Sequence, residues 1–339
     1  MHMLRNCRQL TVGIVGGGIA GLQAARDLRA AGAAVRVFDK GRAPGGRVAT
    51  RRDGAWAFDH GAQFFTARDR GFAGQVVEWF RLGVVAEWTG PFRTLQRGVF
   101  GDDPRSGQER YCGVPGMSAL ARSMAGDLEV ASDVRIGSAV RDGRGWWLRS
   151  EHAPDRGPFD ELVLAVPPAQ AVGLLPADEA LARELAGIAL QPCLAAMVRF
   201  ERMPDALRGG MFVVDDELAW VSHDGGKPGR SGAPTFVLHA TPEFSRRHFE
   251  LATDDLGARL LAALQRSLGA PLPPVASCAL HRWRDALPIA GPSAALPCDV
   301  GRGLTAVGDF VAGGRIEGAF CSGRDAALAL RARHGLAVA

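Results

Sequence analysis

The first part of the chain alternates apolar runs and charged positions in the pattern of a β-α-β unit. Residues 12–15 form a short apolar run rich in β-branched side chains, which is typical of a buried parallel strand. Residues 19–31 repeat apolar positions interrupted by charged ones and predict a helix. Residues 35–38 predict a second strand, and Asp39 follows it directly. The pattern therefore favours two parallel strands joined by a helix.

Three glycines, Gly16, Gly18 and Gly21, have the spacing G-x-G-x-x-G between the first strand and the helix. In this motif the first glycine allows a tight turn, the second lets the backbone approach a pyrophosphate, and the third lets the helix pack closely. Free N–H groups at the helix N-terminus favour a bound anion. Asp39 stands about twenty residues further on, where an acidic residue accepts hydrogen bonds from a ribose. The motif predicts a dinucleotide site, and a glycine-rich turn without a ligand is the alternative.

Two further segments have the chemistry of a flavin site. Residues 304–309 predict a strand that ends in Asp309, whose carboxylate could accept hydrogen bonds from the ribityl hydroxyls of a flavin. A helix that begins within residues 312–319 would stabilise negative charge on a reduced flavin ring. Earlier in the chain, Gly46 allows a close backbone approach to a cofactor, and Arg42 and Arg47 each offer a planar fork to phosphate.

The middle of the chain changes to short candidate strands separated by turns, at residues 194–200, 211–214, 218–222 and 235–239. This pattern predicts an antiparallel sheet. We therefore expect an α/β fold, with a discontinuous Rossmann-like FAD-binding domain and a smaller α+β substrate domain with an antiparallel sheet. The predicted FAD-binding domain consists of residues 1–70, 112–170 and 296–339. The predicted substrate domain consists of residues 71–111 and 171–295.

Composition narrows the class of protein and its partners. The 339 residues are 47% hydrophobic and 22% charged, with a formal net charge of +4, as expected for a globular protein of about two domains. Basic residues occur in short pairs without interleaved aromatic residues, which argues against a nucleic-acid partner. No apolar run is long enough to span a bilayer, and no cysteine pair has C-x-x-C or metal-ligand spacing. We expect a cytoplasmic protein with no membrane partner and no metal.

These segments together resemble the amine-oxidase-like superfamily of FAD flavoproteins across the full chain. A narrower resemblance, to the bacterial renalase-like proteins, is carried by residues 59–69, 237–244, 281–288 and 307–320. It implies noncovalent FAD and oxidation of the 2- and 6-dihydro isomers of NAD(P)H, with dioxygen as acceptor and hydrogen peroxide as product. It also implies that Phe64, His239 and Trp283 lie near the flavin. The animal relatives tend to have tyrosine where this chain has Phe64, and glutamine near the position of Ala286.

The candidate residues follow from these motifs and from the resemblance. The predicted catalytic residues are Phe64, His239 and Trp283, although the two aromatic residues could equally belong to the core and His239 could be a structural histidine. The predicted cofactor-binding residues are Gly16, Gly18, Ile19, Ala20, Gly21, Asp39, Lys40, Arg42, Gly46, Arg47, Gln63, Val134, Gly308, Asp309, Arg315 and Ile316. The expected partners are a small-molecule dihydronicotinamide substrate and dioxygen.

Three other functions share part of these sequence features. An FAD-dependent amine oxidase acting on a small amine shares the same cofactor motifs, but such sites often have a lysine near the flavin. The chain has only Lys40 and Lys227, and neither is in a strand that we predict to face the flavin. An NAD(P)H-dependent flavin reductase would have a second G-x-G-x-x-G, which is absent after Gly21. A non-enzymatic flavin-binding module is the third alternative. A serine hydrolase is not among them, because its sequence motifs are absent.

Overall fold

The computed structural model describes residues 8–150, 153–289 and 295–337. Within these ranges the chain divides into two compact units, one of residues 8–46, 121–189 and 295–337 and one of residues 47–120 and 190–289. The ends of the predicted FAD-binding domain, residues 1–7 and 338–339, lie outside the described residues. No helix of the described residues is long and apolar enough to cross a membrane.

The described residues form regular elements along the whole chain. The helices are α1 (Ile19–Ala30), α2 (Arg70–Arg81), α3 (Ser118–Ala125), α4 (Pro168–Leu174), α5 (Ala180–Ala186), α6 (Pro242–His248), α7 (Thr253–Leu268), α8 (Asp309–Ala312) and α9 (Ile316–His334). The strands are β1 (Thr11–Val15), β2 (Ala34–Phe38), β3 (Arg51–Asp53), β4 (Trp56–Phe58), β5 (Val85–Glu87), β6 (Phe92–Gln96), β7 (Val99–Gly101), β8 (Tyr111–Gly113), β9 (Val130–Ala131), β10 (Ser138–Asp142), β11 (Gly145–Ser150), β12 (Ala153–Phe159), β13 (Glu161–Leu164), β14 (Leu190–Phe200), β15 (Gly210–Val213), β16 (Leu218–His223), β17 (Thr235–Ala240), β18 (Val275–Pro288), β19 (Cys298–Asp299) and β20 (Leu304–Ala306).

The first unit is built on a sheet with the strand order β19-β20-β13-β1-β2-β9. All its pairs are parallel except β19 with β20. In β1, Val12 and Ile14 are fully buried and pair in register with Val35 and Val37 of β2. This continuous burial is what a parallel sheet requires, because helices cover its faces. Helices α1 and α9 pack against each other, and the β10-β11-β12 meander adds a small antiparallel sheet. The predicted Rossmann-like topology is confirmed.

The second unit is built on a sheet with the strand order β18-β14-β17-β16-β15-β6-β7. Its pairs are antiparallel except β15 with β6. One amphipathic helix, α7, packs its buried residues Leu256, Leu260 and Leu264 into the core that contains Phe200 and Phe236. The antiparallel sheet predicted for the middle of the chain is therefore present.

The boundaries of the two units differ from those that we predicted for the domains. Residues 47–70 and 112–120 belong to the second unit, and residues 171–189 belong to the first. The β3-β4 hairpin joins the second unit because Phe58 packs with Met197 and Val237. Helices α4 and α5 join the first unit because they bury Ala171 and Leu185 in the core beside β13. The second unit is also about as long as the first, although we expected it to be smaller. The functional assignment of the two domains stays a prediction.

Candidate functional site

The glycine loop of the first unit lies at the carboxyl end of β1. Gly16 has a φ of +111°, which favours glycine, and a Cβ there would overlap the carbonyl oxygen of Ala165. A Cβ on Gly21 would overlap the carbonyl oxygen of Gly16, so this glycine lets α1 pack against the turn. Gly18 differs from both, because a Cβ there would meet no described atom within 4 Å. Its Cα therefore faces open space, where a ligand can approach the backbone.

The N-terminus of α1 adjoins this open space. The helix begins at Ile19, Gly18 is its N-cap, and no described side chain caps it. The first N–H groups of an uncapped helix need acceptors and carry partial positive charge. The predicted contacts Gly18, Ile19, Ala20 and Gly21 thus lie together at a place suited to a pyrophosphate.

The second glycine cluster lies directly against the first one. Gly45 donates its backbone N–H to the carbonyl oxygen of Gly17 at 2.9 Å. A Cβ added to Gly46 would come within 3.9 Å of the Gly18 Cα, so the two glycines leave room for each other. The fold therefore brings Gly18 and Gly46 together, as expected of residues that share one cofactor.

Asp39 ties these loops together at the end of β2. Its Oδ2 accepts from the Gly17 N–H at 2.5 Å, and its Oδ1 accepts from the Gly41 N–H at 2.7 Å. Each carboxylate oxygen can still accept a second hydrogen bond, which leaves capacity for ribose hydroxyls. The contact with ribose stays a prediction. The Val134 backbone N–H donates to the Asp39 carbonyl oxygen at 2.9 Å, which brings that predicted residue to the same edge. Lys40 lies on the surface and bonds Gln170, and Arg42 is exposed.

Asp309 lies beyond the carboxyl end of β20 on the same sheet. It begins the short helix α8 and is 5% exposed. Gly308 before it donates its N–H to the Ser322 Oγ at 2.9 Å, and Arg315 is the N-cap of α9, which begins at Ile316. Because β1, β2, β13 and β20 run parallel, Gly16, Asp39 and Asp309 share the carboxyl edge of the sheet, where open α/β sheets bind ligands.

In the second unit, two of the predicted catalytic residues meet at one backbone oxygen. The His60 carbonyl accepts from the Trp283 Nε1–H at 2.8 Å and contacts the His239 Nε2 at 3.1 Å. A carbonyl oxygen only accepts, so His239 carries its proton on Nε2. No residue within the described ranges hydrogen-bonds the Nδ1 of His239, which is left as an acceptor.

The rings of His60, His281 and Trp283 pack against one another. The ring centroids of His281 and Trp283 are 4.2 Å apart, and those of His60 and His281 are 4.6 Å apart. Burial lowers the pKa of His239 to about 4 and that of His281 to about 4, and it also lowers the pKa of His60. The histidines of this group are therefore uncharged at neutral pH.

The third predicted catalytic residue lies in a different aromatic group. The Phe64 ring packs against Trp88, Phe92 and Trp220 at centroid distances of 6.3, 6.0 and 5.5 Å. The Arg110 guanidinium covers the Phe92 ring at 4.0 Å and lies 5.5 Å from the centre of Phe64. This packing is consistent with the alternative that Phe64 is a core aromatic residue, and its contact with substrate stays a prediction.

A buried charge cluster, formed by Asp59, Asp224, Lys227 and Arg230, was missed by the sequence reasoning. Lys227 is 2% exposed, and its Nζ lies 2.6 Å from Asp224 and 3.2 Å from Asp59. Arg230 pairs with Asp59 at 2.5 Å and also with Asp224. Burial alone would raise the pKa of Asp224, but the charges of Lys227 and Arg230 outweigh it and hold the pKa below its ordinary value. The only sequence signal was the spacing of Asp224 and Arg230, three residues on either side of Lys227.

Two predicted cofactor contacts use their side chains within the second unit. Gln63 is buried, and its Oε1 accepts from the Ser222 Oγ at 2.7 Å and from the Lys227 Nζ at 3.2 Å. Arg47 donates to the Ala286 carbonyl oxygen at 3.0 Å. Their contact with a cofactor stays a prediction.

Comparisons with known proteins agree with this architecture. A family model described as an NAD(P)-binding Rossmann-like domain matches residues 14–78, and one described as flavin containing amine oxidoreductase matches residues 98–330. A solved structure from Exiguobacterium sp. 255-15, assigned as a protoporphyrinogen oxidase, is 16% identical, with a TM-score of 0.74 over 96% of this chain and 99% of that chain. A putrescine oxidase bound to putrescine is 16% identical, with a TM-score of 0.71 over 96% and 100%. At this identity, the two structures show the shared fold alone.

Proposed function

Because the chain belongs to the flavin containing amine oxidoreductase family, we propose that it is a renalase-like, FAD-dependent oxidase of dihydronicotinamide dinucleotides. The proposed substrates are the 2- and 6-dihydro isomers of NAD(P)H. Each substrate molecule gives up a hydride and becomes NAD(P)+. Dioxygen takes up the two electrons with that hydrogen and one further proton, which gives hydrogen peroxide.

FAD is the cofactor, and the residues of the first unit fit it. The open space at Gly18 and the uncapped N-terminus of α1 suit the pyrophosphate. Asp39 and Asp309 lie at the same sheet edge, where their carboxylates suit hydroxyl groups of the ribose and of the ribityl chain. We propose that these contacts hold FAD without a covalent link.

The second unit supplies groups that suit a planar, uncharged substrate ring. When bound, FAD supplies the hydride acceptor and the path of electrons to dioxygen. The chain therefore has to position the substrate and exclude competing chemistry. The Trp283 and His281 rings offer apolar faces for stacking, and the Nδ1 of His239 offers an acceptor for a substrate N–H. No general base is needed, because the ring nitrogen of these substrates has no proton to lose.

The neutrality of this group of residues is the observation that carries the proposal. The acidic side chains next to it, Asp59 and Asp224, are both paired with Lys227 and Arg230. The histidines are uncharged at neutral pH, since burial lowers the pKa of His239 and of His281 to about 4. An aliphatic amine is protonated in water at this pH and needs an anion or an open aromatic face. The group suits a neutral dihydropyridine better than an ammonium ion.

The aromatic group around Phe64 is also unfavourable for an ammonium ion. Its ring faces already contact cations of the protein itself: Arg110 lies 4.0 Å from the centre of Phe92, and Lys227 lies 5.1 Å from that of Trp88. Each of these two ring faces already has a cation of the protein against it and therefore does not favour a second one. An FAD-dependent oxidase of a small amine remains the alternative, because the family model and the likeness to putrescine oxidase favour it.

Steady-state product analysis tests the proposal. The purified holoenzyme is given each dihydro isomer of NAD and of NADP in air, and putrescine and benzylamine in parallel. We expect the isomers to yield NAD(P)+ and hydrogen peroxide in a one-to-one ratio, with little peroxide from the amines. Trp283→Ala should slow turnover, whereas Trp147→Ala, which changes a half-buried tryptophan of β11 in the first unit, should not. Peroxide and aldehyde from the amines alone would establish the alternative.

A further inference from the structure

Lys227 has three oxygen partners, all of them in the second unit. Its Nζ lies 2.6 Å from the Asp224 Oδ1, 3.2 Å from the Asp59 Oδ2 and 3.2 Å from the Gln63 Oε1. The ammonium group donates hydrogen bonds to Asp59 and Gln63 and forms an ion pair with Asp224, so its charge is compensated within the cluster. Lys227 therefore does not act as a free cation towards a ligand, and its effect has to pass through the residues that it holds.

Two of the three partners of Lys227, Asp59 and Gln63, are the two ends of one short loop, residues 59–63. At the first end, the Asp59 carboxylate also accepts from the Thr50 Oγ1 at 2.7 Å and from the Met117 N–H at 3.0 Å. The backbone N–H of Asp59 donates to the Asp224 carboxylate at 2.8 Å. At the other end, Lys227 and Ser222 both donate to the Gln63 Oε1, which fixes the orientation of the amide.

The side-chain amide of Gln63 hydrogen-bonds to the backbone of its own loop. With its oxygen facing Lys227, its Nε2 group points its hydrogens at the carbonyl oxygens of Asp59 and of Gly61, the latter at 3.2 Å. The carbonyl between these two belongs to His60, and it is the shared acceptor of His239 and Trp283. The loop conformation thus sets the position of the oxygen that orients both side chains.

We propose that Lys227 is a positioning residue: by holding Asp59 and Gln63, it fixes the His60 carbonyl that orients His239 and Trp283. The inference rests on the proposed function only in taking His239 and Trp283 as substrate contacts. It assigns to the buried charge cluster a role beyond stability, since the loop that it holds carries the orienting group.

Nuclear magnetic resonance of the holoenzyme, with labelled histidine and tryptophan, tests the proposal without any substrate. In the wild type, the long-range proton–nitrogen spectrum should show His239 only as its Nε2–H tautomer, and the Trp283 indole N–H should exchange slowly. Lys227→Met should give a mixture of His239 tautomers and about tenfold faster exchange of the Trp283 indole, roughly the factor of one lost net hydrogen bond. His239→Asn and Trp283→Phe assign the two signals.

Three further variants separate positioning from mere stability. Arg333→Met removes a cation from the buried carboxylate of Glu161 in the first unit and is the matched control. It should lower stability and leave both signals unchanged. Gln63→Met keeps all four charges of the cluster, and it should reproduce the spectral changes of Lys227→Met even if the latter does not fold. Lys227→Arg keeps the positive charge, and its spectrum should be closer to that of the wild type than the spectrum of Lys227→Met is.

Unchanged His239 and Trp283 signals in Lys227→Met, or in Gln63→Met where Lys227→Met does not fold, would overturn the proposal. Lys227 would then only stabilise the fold. A wild-type enzyme that oxidises amines and ignores the dinucleotides would refute the proposed function instead, and it would leave these spectra as they are. The two failures are therefore distinguishable.

Discussion

His239 and Trp283 donate hydrogen bonds to the same carbonyl oxygen, that of His60, from strands β17 and β18. One acceptor thus fixes an imidazole and an indole at once. The arrangement leaves the Nδ1 of His239 as an acceptor and keeps the Trp283 ring next to that of His281. The second unit therefore presents oriented, uncharged groups.

Gly18 and Gly21 should respond oppositely to alanine. Gly18→Ala adds a methyl group where no described atom lies within 4 Å, so the apoprotein should keep its stability while FAD binds at least tenfold more weakly. Gly21→Ala pushes a methyl group into the Gly16 carbonyl and should destabilise the apoprotein by on the order of 1–3 kcal/mol. Urea unfolding of the apoproteins and FAD titration measure the two effects. Normal FAD affinity in Gly18→Ala would show that the cofactor does not approach this glycine.

Asp309→Ala should release FAD, whereas Asp53→Ala should not. Asp309 is nearly buried at the sheet edge, and its proposed charge-assisted hydrogen bonds are each worth on the order of 1.5–3 kcal/mol. Asp53 lies exposed on the β3-β4 hairpin and is the matched carboxylate. The ratio of flavin to protein absorbance after gel filtration gives the FAD content. Equal content in the two variants would remove Asp309 from the cofactor site.

Local sequence patterns predicted the first unit well. The β1-α1-β2 unit and the position of Asp309 depend on neighbours within a few residues, so the apolar periodicity and the glycine spacing contained enough information. We predicted the β3-β4 hairpin as part of the FAD-binding domain, whereas it lies in the second unit, because Phe58 packs against Met197 and Val237, far away in the sequence. Such long-range packing leaves no local signal.

The geometry of the candidate site in the second unit could be predicted only in part. The resemblance singled out His239 and Trp283, but their common acceptor, His60, lies 179 and 223 residues away from them. Lys227 was set aside because it is in no strand that we predicted to face the flavin, whereas its partner Asp59 comes from 168 residues earlier. Charge pairing at that distance becomes visible only in the fold.

The stability of the protein should depend on pH through His239. Burial lowers the pKa of His239 to about 4 from the ordinary value of 6.5. Between these values the unfolded chain binds a proton that the folded protein does not, so stability falls as the pH falls from 6.5 towards about 4. The loss from this residue should be on the order of 2 kcal/mol.

Urea unfolding between pH 7.5 and pH 4.5 measures this effect, with His239→Asn as the comparison, because asparagine does not titrate there. The variant should lose less stability than the wild type over that range. Parallel stability curves for the two proteins would mean that His239 titrates normally and is not kept uncharged by burial.

Anaerobic rapid mixing tests the central claim, that the flavin is reduced by dihydronicotinamide isomers rather than by amines. The oxidised holoenzyme is mixed in turn with 2-dihydro-NAD(P), 6-dihydro-NAD(P), ordinary 4-position NADH, benzylamine and putrescine, and flavin absorbance is followed. We expect fast bleaching with at least one of the 2- and 6-dihydro isomers and slow or no bleaching with NADH and both amines. Trp283→Ala should slow the fast phase while retaining its FAD, because the stacking contact is lost. Rapid bleaching by an amine, with no response to the isomers, would contradict the account and identify the protein as an amine oxidase.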